Sequence, residues 1–161
     1  MSGLVPDSLQ RRDLERFLHD KIPLTATMEV RVLESSSERL VLEAPLAPNR
    51  NHLGTAFGGS LHTLPTLACY AVVWMLLREA GIDGHVVVKR SAASYREPVT
   101  AALRATCPRP PPARAALFIA DLRRHRKARM DLEATVDGAN GKAAVEYRGT
   151  FVAVGQEGTM P

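Results

Sequence analysis

The apolar residues of this 161-residue chain recur at two periods, with one long exception. Near the start, Leu9, Leu14, Phe17 and Leu18 form a partial helical stripe. They predict a first helix, capped by Asp7 or Ser8, running to about Asp20 and ended by Pro23. From residue 25 to 33 the period drops to two. There Ala26, Met28, Val30 and Val32 alternate with Thr27, Glu29 and Arg31, the pattern of a half-buried strand. Ser35, Ser36 and Ser37 make a turn, and Leu40, Leu42 and Ala44 carry a second strand back antiparallel to the first. Strands are expected again over residues 85–95, before Pro98, and over residues 101–107, where Leu103, Ala105 and Cys107 alternate with Arg104 and Thr106. Residues 113–122 read as a short helix after the stiff stretch at 108–112. Met130, Leu132, Ala134 and Val136 face Val145, Tyr147, Phe151 and Ala153 across the turn at 137–141, a long hairpin.

The exception is the stretch from Leu61 to Leu77. It is apolar nearly all round and ends at Gly81. A surface helix shows one polar face, so this helix must be wrapped by other elements. The pattern therefore predicts an α+β fold. A curled antiparallel sheet of about six strands wraps one long apolar central helix, with an N-terminal helix added. Bundle and doubly wound folds fail, because the strands alternate cleanly and helices do not separate them. One domain is expected over residues 1–161, with an ordered core of about 7–154 and fraying ends.

Composition narrows the function. The start carries no basic segment followed by an apolar one, so it does not read as a secretory signal. The apolar run at 64–77, broken by Pro65, Thr66 and Tyr70, is too short to span a bilayer comfortably. Cys69 and Cys107 sit in apolar stretches as buried free thiols, which favours the cytoplasm. The net charge of +4 suits anionic partners, but no aromatic residue interleaves the basic cluster, so nucleic acid is not expected. No His, Cys or carboxylate spacing suits a metal, and no cofactor is called for.

The loop at 45–56 is rich in turn-formers, and Phe57, Gly58, Gly59 and Ser60 lead from it into the central helix. A helix N-terminus offers unpaired N–H groups and a positive dipole end, and glycines let another group come close. A thioester carbonyl placed there would find donors for its oxyanion, and the Asn51 amide would hold the carbonyl or a water. Tight packing at a helix start would also account for the glycine pair.

Residues 44–49 through 59–61, then Leu77-Arg78-Glu79, then Tyr95-Arg96-Glu97-Pro98-Val99, resemble the YiiD C-terminal type of thioesterases in the hotdog superfamily. The resemblance spans roughly residues 10–155 and is most specific over Asn51 to Ser60. It implies homodimers or dimers of dimers, sites between protomers, and acyl-CoA or acyl-carrier-protein thioesters as substrates. In related hotdog thioesterases an Asn, a His-Gly-Gly and a later helical carboxylate form the site. Asn51 and Gly58 match the Asn and the carbonyl-polarising glycine, but Phe57 stands for the His and Thr66 for the carboxylate. A threonine hydroxyl is a poor base at neutral pH.

His62 lies four residues from both Gly58 and Thr66, so the three share one helix face. An imidazole acting through a water and Thr66 would replace the carboxylate; local capping is the alternative. The reading is therefore a thioesterase in which water attacks the polarised thioester. Asn51, Gly58, His62 and Thr66 are its catalytic candidates, and Phe57, Gly59, Tyr70 and Arg90 contact substrate. Dehydratase or isomerase chemistry on an acyl thioester, or acyl binding without catalysis, are the alternatives. Among the other histidines, His19 and His125 are expected to be exposed, and His52 and His85 to shape turns. The basic cluster Arg123, Arg124, Arg126, Lys127 and Arg129 suits carrier phosphates or is a solvated face. Of Lys89 and Arg90, alternation puts one inward, where Glu79 or Glu97 would partner it.

Overall fold

The structure, a computed structural model, describes residues 7–156. The expected cap of the first helix and the expected fraying of both ends fall outside the described residues or their side chains. Helix α1 (Asp7–Lys21) buries Leu14 and Leu18, one turn apart. His19 is half-buried rather than exposed, and its Nε2 donates to the Val30 carbonyl at 2.7 Å.

The first strand begins later than the alternation suggests. Pro23 does not simply stop a helix; it opens a second, α2 (Pro23–Thr27). Proline suits the first helical position, where its fixed φ is already helical and its missing N–H is not needed. Glu29, at φ 57°, then turns the chain into β1 (Arg31–Ser35). Met28, Val30 and Val32 are buried as the alternation expects, but the helical turn exposes Ala26 and buries Thr25 in its place.

Strand β2 (Arg39–Ala44) returns antiparallel. With β3 (Gly84–Tyr95), β4 (Leu103–Pro108), β5 (Lys127–Asp137) and β6 (Ala143–Gly155) it completes a six-stranded sheet in the order β1-β2-β4-β5-β6-β3. Every pairing is antiparallel. The hairpin sets Met130 opposite Phe151, Leu132 opposite Gly149 and Ala134 opposite Tyr147. All of β5's even-numbered residues from Ala128 to Val136 are buried, and their neighbours are exposed. One face therefore meets the core and the other meets water.

The central helix, α3 (Gly58–Glu79), touches β2, β3, β4, β5 and β6. Its 22 residues are long and apolar enough to cross a membrane by length and composition alone. Of its most apolar 18 residues, 67% are buried within the protein. Leu64, Ala68, Cys69, Ala71, Val72 and Val73 are sealed from solvent. Each large apolar side chain so buried is worth about 1.5–3 kcal/mol. Both cysteines are free and buried. The Cys107 thiol beside it, then burial, push the Cys69 thiol well up, so it stays protonated and unreactive.

Two expectations change at the sheet margin. The helix after the proline run, α4 (Pro112–His125), is longer than residues 113–122. It is anchored by buried Phe118 and Leu122 and closed by Arg126 at φ 58°. On β3, neither Lys89 nor Arg90 is inward; both are exposed. Val88 pairs with Phe151 and Arg90 with Thr150, so Lys89 is the extra residue of a bulge that resets the alternation. The carboxylates suggested as partners are engaged elsewhere. Glu79 takes both guanidinium arms of Arg109, at 2.8 and 2.6 Å, and Glu97 accepts from the Ala139 N–H at 2.7 Å.

Candidate active site

The loop before α3 is held by two asparagines. Asn49 is buried, and its Nδ2 donates to the Met28 and Pro45 carbonyls at 2.9 and 2.8 Å. Its own carbonyl accepts the Phe57 N–H at 2.7 Å, which sets the entry to the helix. Asn51 closes the tip of the loop. Its Oδ1 accepts from the Leu53 and Thr55 N–H groups, and its Nδ2 donates to Thr55 Oγ1. The Asn51 amide is thus engaged within the loop, an Asx-type closure.

At the helix start, nothing stands within 4 Å of the position a Gly58 Cβ would take. Gly59 is covered: a Cβ there would strike the Phe57 ring, which is itself 56% exposed. The Tyr95 hydroxyl donates to the Gly58 carbonyl at 3.3 Å. The N–H groups of the first turn, before Leu61, have no partner within the helix, as at any helix N-terminus.

One turn on, His62 Nε2 lies 3.0 Å from Ser91 Oγ on β3. Thr66 does not face the imidazole. Its hydroxyl donates to the His62 carbonyl at 2.8 Å, a bond within the helix. The His62 ring stands edge-on to Tyr147 of β6, with centroids 5.4 Å apart. Tyr147 is only 3% exposed, and its hydroxyl makes no hydrogen bond. Burial pushes that hydroxyl's pKa up, and the Thr66 and Ser91 hydroxyls beside it partly offset the rise. An unpaired buried hydroxyl costs about 1–3 kcal/mol, so the arrangement calls for a reason.

His62 and Thr66 lie along the seam between α3 and β3, with Tyr147 buried behind it. From His62 onward along α3, positions 62, 66, 70, 74 and 78 escape full burial, while most of the intervening helix is sealed. Spaced by four, Gly58, His62, Thr66, Tyr70, Trp74 and Arg78 form one line down the helix. At its far end is a cleft of about 1080 Å³, lined by Phe17, Tyr70, Trp74, Ile82, Val86 and Val87 among others. Trp74 stacks on Phe17 at 4.2 Å, and the Arg78 guanidinium lies over the Trp74 ring at 5.2 Å. From His62 to Trp74 the helix rises about 18 Å. The facing span of β3, from Ser91 to Val86, is about 16 Å. The seam therefore runs from a polar end at His62 and Ser91 to an aromatic end at Trp74.

A family model described as "Putative thioesterase (yiiD_Cterm)" matches residues 11–155, which include the whole seam. The chain belongs to the YiiD C-terminal thioesterase family. A protein of unknown function from Chlorobaculum tepidum TLS has the same structure at TM-score 0.89 and 29% identity, over 97% of this chain and 100% of that one. A "putative thioesterase" from Shewanella oneidensis matches at TM-score 0.82 and 30% identity, over 91% and 99%. At 23% identity, a Pseudomonas aeruginosa structure named "Probable Thioesterase" shares the fold, at TM-score 0.73 over 90% and 96%. The fold is the hotdog fold.

Within this member of the YiiD C-terminal family, the candidates do not all converge. Gly58, His62, Thr66 and Tyr70 share the line on α3, and Phe57 and Gly59 cap its start. Arg90 is elsewhere. It lines a groove of about 560 Å³ with Arg109, Arg114, Arg148, Asp131 and Glu133. The basic cluster divides between the exposed end of α4 and the start of β5. Among the described residues, no three His, Cys, Asp or Glu side chains converge as metal ligands. Sequence reasoning missed Asn49, Ser91 and Tyr147. In the sequence Asn49 reads only as a turn-former, and Tyr147 only as core. Ser91 had a signal: it lies on a predicted strand, but its facing depends on the bulge at Lys89.

Proposed function

We propose that this chain hydrolyses acyl thioesters carried by coenzyme A or an acyl carrier protein, with water as the final acceptor of the acyl group. The observation that carries this reading is the line along α3. It sets open helix N–H groups, a histidine and a cleft with an aromatic floor and a polar rim (Lys21, Arg78, Asp83 and His85) in succession, the order in which a thioester carbonyl, a base and an acyl chain are needed. Gly58 polarises the carbonyl from the helix start, where there is room for it. Phe57 and Gly59 shape the entry. His62 is the base. Asn51 keeps the loop closed, and Thr66 secures the turn that carries His62. Tyr70 lies along the acyl chain, and the Arg90 groove offers charge to an anionic carrier. The buried free thiols favour a reducing compartment, and we place the protein in the cytoplasm.

The test is release of free thiol from acyl-CoAs of increasing chain length. Turnover is expected, and Trp74→Ala, which removes the far wall of the cleft, is expected to shift preference toward longer chains by about tenfold. No hydrolysis of either carrier's thioesters by folded protein would end this reading. It would leave double-bond chemistry on acyl thioesters, or acyl binding, to be assayed.

We further propose that the working unit is a homodimer or a dimer of such dimers. The 12-residue strand β3 is a sheet edge, and its Val87 and Val88 are 53% and 46% exposed. A long edge strand with exposed valines invites pairing. Two β3 strands paired about a two-fold axis would cover these valines and bring both seams to the interface. Sedimentation equilibrium should give at least twice the mass of one chain; a monomer at micromolar concentration would exclude this assembly.

A further inference from the structure

We infer that Ser91 is the nucleophile of this site, and that hydrolysis passes through an acyl ester on its Oγ. The inference rests on the thioesterase reading above and specifies its chemistry. Four observations point the same way. His62 Nε2, the nitrogen a base would use, lies on the Ser91 hydroxyl at 3.0 Å. The Thr66 hydroxyl, which stands at the expected carboxylate position, is turned to a backbone carbonyl and does not prepare a water for His62. Among the described contacts of His62, Ser91 and Thr66 there is no carboxylate that would do so instead.

The third observation is the local backbone. The bulge at Lys89 resets β3, so that Arg90 pairs with Thr150 and Ser91 with Gly149. Bulges re-aim side chains in this way. Gly149 is needed opposite Ser91. A Cβ there would lie 2.7 Å from the Phe151 ring and 2.8 Å from the Tyr147 hydroxyl. The glycine thus lets the Tyr147 hydroxyl reach the space beside Ser91. The fourth is that hydroxyl itself, buried beside the Ser91 and Thr66 hydroxyls without a well-formed hydrogen bond to either. A donor held beside the oxygen on which negative charge grows gains its partner during the reaction. Ser91 is half-buried, and it faces the partly open line of α3 through His62, the side from which substrate would reach it.

The steps balance. His62, with its own proton on Nδ1, takes the Ser91 Oγ proton on Nε2 as Oγ bonds to the thioester carbonyl carbon. The tetrahedral adduct collapses, its carbon–sulfur bond breaks, and the leaving thiolate takes the proton from His62. Water then gives a proton to His62 as its oxygen attacks the Ser91 ester. The ester bond breaks, Ser91 recovers the proton, and the carboxylic acid departs. Tyr147 exchanges no proton in this sequence; its hydroxyl stays beside Ser91 as a donor.

The experiment combines turnover with trapping. Wild-type protein is quenched in acid during turnover of an acyl-CoA and mapped by mass spectrometry. A fluorophosphonate, which phosphonylates activated serines, is applied in parallel. The expected result is an acyl or phosphonyl group on Ser91, absent in His62→Gln, with kcat of folded Ser91→Ala reduced about a hundredfold or more. Ser91→Ala turnover within about threefold of wild type would overturn the covalent step and leave thioester hydrolysis standing. A large loss in Ser91→Ala with no group ever trapped on Ser91 would overturn it too, and reduce Ser91 to a holder of His62. A wild-type protein that releases no thiol would remove the thioesterase reading and this inference with it.

Discussion

Replacing His62 by alanine is expected to lower kcat/KM for thioester hydrolysis by about a hundredfold or more, while the protein stays folded. His62 is half-buried on the open line of α3, so its loss leaves no sealed cavity. What is lost is a group able to take a proton from the Ser91 hydroxyl 3.0 Å away. His62→Gln sharpens the result. An amide can keep a hydrogen bond to Ser91 but cannot accept and return a proton, so glutamine should be as damaging as alanine. If glutamine restores activity to within about tenfold, His62 holds the site and is not its base. Thr66→Ala should cost less than about tenfold, because the Thr66 hydroxyl donates to the His62 carbonyl and not to the imidazole. The comparison is made by thiol release at several acyl-CoA concentrations, so that kcat and KM separate.

Phe151→Ala is expected to bring the largest loss of stability, about 3–5 kcal/mol. Phe151 is 0% exposed and is the largest fully buried side chain among the described residues. Its ring reaches over Gly149, opposite Met130 and Val88. Neighbours on a hydrogen-bonded sheet cannot collapse into the space, so most of the cavity would persist. Urea denaturation at one fixed protein concentration measures the change, since association adds to apparent stability. A midpoint shift equivalent to less than about 1 kcal/mol would mean the ring does not seal the core as described. Because the Phe151 ring and the Tyr147 hydroxyl both border the space over Gly149, some loss of activity should accompany the loss of stability.

Much of this protein could be read from local pattern. An α-helix repeats every 3.6 residues and a strand every two, so spacing alone exposes both. The all-round apolar character of residues 61–77 required a helix wrapped by sheet, and α3 is wrapped by five of the six strands. Alternation on either side of residues 137–141 required a hairpin, and β5 and β6 pair along nearly their whole length. The line through Gly58, His62 and Thr66 was legible for the same reason, since all three belong to one helix. Where the pattern was short it failed. Over residues 25–28 a few alternating apolar positions fit a helical turn as well as a strand, and Pro23 decided for the helix.

The rest depended on which elements met. Ser91 is 29 residues from His62, and Tyr147 lies on a third element. Nothing in their local sequence separates a serine facing α3 from one facing water. That choice was made by one bulged residue, Lys89, and by the absence of a side chain at Gly149. A single inserted residue reverses every facing beyond it. The chain's own periodicities therefore determined the helix, the strands and the candidate base, because those follow from backbone geometry within one element. The hydroxyl that the base holds, and the unpaired tyrosine behind it, were decided only by the register between elements in the folded sheet.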